Sequence, residues 1–84
     1  MKNPIFPLSS IVVLVEKAKN FKELNSITPS YQADGLKIGE RVVIIDSMEC
    51  EDIEGKKQFV SIKPENSNEI FDCYPSWCFE LACN

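Results

Sequence analysis

The runs Ile11-Val12-Val13-Leu14-Val15 and Val42-Val43-Ile44-Ile45 constrain the fold of this chain more than any other feature. β-branched side chains lose rotamer freedom in a helix and fit a pleated surface, so each run reads as a strand. Neither approaches the ~20 apolar residues that a membrane-crossing helix needs, and no membrane partner is expected. Three further stretches follow the second run. Gln58 to Lys63 alternates as a half-buried strand does, Ile70 to Tyr74 resumes after the polar connection Pro64 to Asn68, and Phe79 to Cys83 places Phe79, Leu81 and Cys83 on one side. Short strands with turn signals between them predict an all-β fold. A small closed or nearly closed barrel is the arrangement that also protects strand edges.

With 84 residues the chain is sized for one domain, expected over residues 11–84, with residues 1–10 as an extended arm broken by Pro4 and Pro7. Between the first two strands, Asn20 to Lys37 carries Thr28-Pro29-Ser30 and Asp34-Gly35 and reads as a long, partly irregular loop. A helical turn is expected within Asn20 to Ser26, where Phe21 and Leu24 are three apart. Loops longer than ~12–15 residues in small domains often carry binding surfaces. Asp46 to Gly55 reads as an acidic loop closing in a turn at Gly55-Lys56.

Charge and residue types narrow the chemistry. Residues 43–84 hold nine acidic and three basic side chains, against four and six in residues 1–42, and the whole chain carries −4. An acidic chain is a poor match to a phosphate backbone. No histidine is present, so no Cys-His or Ser-His pair exists to activate a nucleophile, and no enzyme activity is expected. The cysteines Cys50, Cys73, Cys78 and Cys83 lack the close pair that starts a structural zinc site. They read as thiols packed as small hydrophobes, with a disulfide or zinc as the lesser alternatives. No cofactor and no metal are expected. The N-terminal stretch lacks a signal-cleavage pattern and reads as mature sequence, which places the chain in the cytoplasm with reduced thiols.

Two segments carry a family resemblance. Tyr74-Pro75-Ser76-Trp77-Cys78-Phe79-Glu80-Leu81 resembles the closing segment of Src-homology-3-type (SH3-like) small β-barrels, in which an aromatic, Pro and Ser open one helical turn before a short last strand. Leu36-Lys37-Ile38-Gly39-Glu40-Arg41-Val42-Val43-Ile44-Ile45 resembles that family's diverging turn and second strand. The resemblance implies a five-stranded barrel with a long first loop and a short helical turn before the last strand. It also implies a surface for proline-rich peptides. Of that groove, Pro75 matches the family proline. The family's tyrosine in the helical turn falls on Cys78, and no aromatic stands at Val13 to Lys17.

The functional expectation is a non-catalytic protein–protein interaction module, such as a small inhibitor or regulator of viral host-takeover type that docks on a basic or nucleic-acid-binding protein. The expected contact residues are Tyr31 in the long loop, Asp46, Glu49, Glu51, Asp52 and Glu54 in the acidic stretch, and Tyr74, Pro75 and Trp77 around the helical turn. A focused acidic surface steers a basic partner, and Trp is a frequent contact anchor. The bland alternatives are a solvated acidic loop and aromatics that are simply core. Two rival classes remain: a nucleic-acid-associated barrel using Lys17, Lys19, Lys22 and Arg41, and a structural subunit of a larger assembly.

Overall fold

A computed structural model describes residues 4–22 and 24–82. Five antiparallel strands form one sheet in the order β4-β3-β2-β1-β5, with β1 Ile11–Leu14, β2 Arg41–Asp52, β3 Gly55–Pro64, β4 Phe71–Pro75 and β5 Phe79–Leu81. Helix is confined to single turns: 3-10 turns at Glu16–Asn20 and Ser76–Cys78, and an α-turn at Ser30–Ala33. The protein is therefore mainly β, a small barrel-like fold with a long first connection and a helical turn directly before the last strand. No helix among the described residues is long and apolar enough to cross a membrane.

Curvature has two local sources. The register of β2 against β3 shifts between Ile44 and Asp46, so Ile45 is an extra residue on β2. A second shift against β3 leaves an extra residue on β4, where Cys73 adopts φ 64°. Bulges of this kind bend a strand and increase its twist, which lets a short sheet wrap its own core. Val12, Leu14, Val42, Ile44, Val60, Ile62 and Phe79 alternate inward and are almost wholly buried. Tyr31, Leu36, Tyr74 and Cys78 complete the cluster from the connections and β4.

The N-terminal arm belongs to this core. Phe6 is buried with the strand residues, and Ser9 and Ser10 hydrogen-bond through their backbones to Ile44. The Ser76 hydroxyl donates to the Pro4 carbonyl, tying the arm to the turn before β5.

Three sequence expectations are corrected. The acidic stretch is strand rather than loop: β2 continues to Asp52, and the hairpin turns at Ile53-Glu54. Gly55, at φ 117°, occupies backbone space that favours glycine and opens β3 directly. Among the described residues, the helical turns of the first connection lie at Glu16–Asn20 and Ser30–Ala33 rather than after Asn20 in the stretch to Ser26. Leu81 is 60% exposed although its parity matches that of buried Phe79, because β5 ends at the rim of the core. The expected place of Cys83 on that side lies outside the described residues.

Candidate functional site

The turn Ser76–Cys78 holds Trp77 between the core and solvent. Pro75 and Ser76 on one side and Cys78 and Phe79 on the other are buried, which fixes the turn and leaves the indole half-buried. The Trp77 ring meets Phe21 edge-on, with centroids 6.2 Å apart and planes at 89°. Such T-shaped contacts place a positive ring edge on a negative face and hold both rings in one orientation.

A groove of about 310 Å³ opens beside this indole. Trp77, Pro4, Phe6, Val15, Phe79 and Leu81 supply its apolar wall, and Lys17 and Glu80 stand at its margin. The arm is what builds one side: without Pro4 and Phe6 the space would be the open end of the barrel. A mostly apolar concavity with a few polar groups is the usual form of a contact site.

The five acidic residues come together along the β2–β3 hairpin. β1 pairs with β2 only at Arg41–Val43, and β4 reaches β3 only as far as Phe59. Beyond Met48 and Phe59 the hairpin therefore continues as a two-stranded ribbon among the described residues. Glu49, Glu51, Asp52 and Glu54 are exposed on it with Ile53, and Asp46 and Met48 are exposed on β2 just before it. Lys57 bonds Asp52 at 3.1 Å and Glu54 at 3.3 Å across the tip. The hydrogen bond from Lys57 holds the Asp52 carboxyl below its ordinary value, helped by a backbone hydrogen bond from Glu54, and Asp52 raises Lys57 in turn.

Two of the expected contact aromatics are not on the surface. Tyr31 is buried because the first connection doubles back, with Lys22 bridging to Pro29 and the α-turn that follows packing inward. Tyr74 is buried under Phe21 and beside Phe79, and its hydroxyl donates to Asp34. Pro75 is buried as well. These three residues support the site from below, and the exposed part of the aromatic cluster is Trp77. Conversely, the groove residues Pro4, Phe6, Val15 and Leu81 were not singled out from sequence. The Pro-containing arm was the available signal, since a rigid extended segment loses little entropy on docking.

Cysteine placement divides. Cys78 is in the core, where burial pushes its thiol up to about 12, so it stays protonated and unreactive at neutral pH. Cys50 and Cys73 are exposed free thiols, which corrects the reading of them as buried hydrophobes. No group of three or more metal-ligating side chains is gathered among the described residues.

Comparison of the chain with protein-family models, with curated proteins and with solved structures found no match.

Proposed function

We propose that this chain is a non-catalytic protein-interaction module built on an SH3-like barrel, acting in the cytoplasm as a small regulator or inhibitor that occupies a partner's surface. The observation that carries this reading is the half-buried Trp77 at the wall of an open apolar groove. Trp is the side chain most enriched at the energetic centre of protein interfaces, and here its orientation is already set by Phe21, so little order is lost on contact.

The acidic hairpin supports the same reading from a distance. Four carboxylates on a projecting ribbon and Asp46 at its base outnumber Lys56 and Lys57 beside them, and the net negative field raises the encounter rate with a basic partner. Exposed free thiols at Cys50 and Cys73 suit a reducing compartment. The nucleic-acid rival is weakened by the state of its cations. Arg41 is engaged by Glu65 at 2.7 Å and Lys19 by Glu16 at 3.5 Å, which leaves few charges for phosphates.

The test is affinity capture with the tagged chain, comparing wild type, Leu81→Glu and a Glu51/Asp52 charge reversal, each with and without nuclease. Leu81 is exposed, so the substitution alters the groove without opening the core. A protein retained after nuclease and lost with Leu81→Glu supports the module. Loss of all partners on nuclease treatment replaces it with nucleic-acid association. A large self-associated species with no other partner replaces it with a structural subunit.

A further inference from the structure

The groove beside Trp77 takes in residues from both faces of β5: Phe79 and Leu81 from one, Glu80 from the other. Val15 and Lys17, which follow β1, line it as well, so the groove runs from the β1 side of the turn to Phe79 and Leu81 of β5. β5 is the last strand in the sheet order, paired with β1 and with nothing on its other side among the described residues.

The ladder shows which backbone groups that edge presents. Val15 N–H donates to the Cys78 carbonyl and Ala82 N–H to the Ile11 carbonyl. In antiparallel pairing the hydrogen-bonded partners alternate, so Cys78, Glu80 and Ala82 turn their backbones to β1 while Phe79 and Leu81 turn theirs away. The Phe79 N–H is used by the carbonyl of Ser76. The Leu81 N–H and the carbonyls of Phe79 and Leu81 have no partner among the described residues, and the Leu81 side chain is 60% exposed beside them.

We propose that the groove receives an extended segment of a partner protein as an added strand along β5, apolar at alternate positions and carrying Lys or Arg at the position between. This rests on the interaction-module reading and names its mode. The backbone groups call for a strand, because only another extended chain offers donors and acceptors at the same spacing. Parity assigns the side chains. Residues opposite Phe79 and Leu81 point toward the apolar wall at Phe6 and Trp77, while the residue opposite Glu80 stands on the carboxylate's side. Charge favours a foreign strand over a second copy: pairing two copies through β5 adds −4 to −4 and sets Glu80 diagonal to Glu80.

The probe is a seven-residue synthetic peptide, Thr-Val-Lys-Val-Lys-Val-Thr with blocked ends, titrated against the whole chain and read by the fluorescence of its single tryptophan. Hydrogen exchange at the Leu81 amide is followed in parallel. Saturable binding with slowed exchange at Leu81 is expected. N-methylation of the central Val, which removes one donor and leaves the side chain, should weaken binding about tenfold, the equivalent of ~1.4 kcal/mol. Glu80→Lys should weaken it several-fold for the Lys peptide and less for a Thr-for-Lys version. Equal affinity of the methylated peptide, or unchanged Leu81 exchange, overturns strand addition. So does concentration-dependent dimerisation that protects Leu81 without peptide. If affinity capture remains sensitive to Leu81→Glu while the peptide fails, the module stands and its strand mode falls; if both fail, the module falls too.

Discussion

The side chain of Gln58 stands in for a strand partner of Phe6: its Nε2 donates to the Phe6 carbonyl and its Oε1 accepts from the Phe6 N–H, each at 2.8 Å. Gln58 is 3% exposed, so the pair is inside the protein and both backbone groups of Phe6 are satisfied by one amide. The arm is thus held by hydrogen bonds that water does not compete for, with an aromatic ring on the core side.

Gln58→Ala should therefore cost more than an ordinary surface change. It leaves a buried N–H and carbonyl without partners, at about 1–3 kcal/mol, and loosens Phe6. The midpoint of urea unfolding should fall by that amount, and exchange at the Phe6 amide should accelerate more than at Val12 or Ile44. Equal acceleration at all three would mean that the arm and the sheet open together.

Ile44 lies at the point where β2 begins to bend, fully buried, with its backbone bonded to Ser9 and Ser10. Ile44→Ala should destabilise by about 2–5 kcal/mol through lost burial and the cavity left behind. Equilibrium unfolding measures it directly. For a small domain that is a large part of the total stability.

Thiol labelling should split the described cysteines. In the native state Cys50 and Cys73 should react readily with a soluble disulfide reagent and Cys78 should not, with sites assigned by mass spectrometry. The raised pKa of Cys78 also fixes a sign. Unfolding lets this thiol ionise at its ordinary value of 9.0 while the folded state holds it to about 12, so stability should decline as pH rises from 9 toward 12. Cys78→Ala should flatten that decline.

At the hairpin tip the linkage runs the other way. Asp52 is depressed below 3.8 by the hydrogen bond from Lys57, so its contribution is present above that value and is lost as pH falls through the folded pKa. Lys57→Met should move the Asp52 carboxyl titration back up, followed by carbon chemical shift. Because the pair is solvent-exposed, the change in unfolding midpoint should be close to zero.

The two bands of β-branched residues were legible because nothing in their context opposes a strand: Ile11–Leu14 and Arg41–Ile45 are strands where the pattern put them. The acidic half of β2 was hidden because Asp and Glu are poor strand formers in isolation. Here cross-strand partners override that preference, with Glu51 opposite Lys56 and Cys50 opposite Lys57. The half-exposure of Trp77 could be read from its place on a short turn. Tyr31 could not be read as core, since its burial depends on the bridge from Lys22 to Pro29 folding the connection back. The far wall of the groove was equally out of reach. Phe6 and Gln58 are 52 residues apart, and no local pattern in either segment announces the other.

The same separation sets an order of events during synthesis. The arm leaves the ribosome long before what it binds: Gln58 is 52 residues behind Phe6, and Ser76 is 72 residues behind Pro4. Until β3 has emerged, Phe6 has no interior to enter and is available to chaperones or to other nascent chains. The groove beside Trp77 is accordingly one of the last features that a growing chain can complete, so a chain truncated before Ser76 would lack the site even where β1 to β3 had already paired.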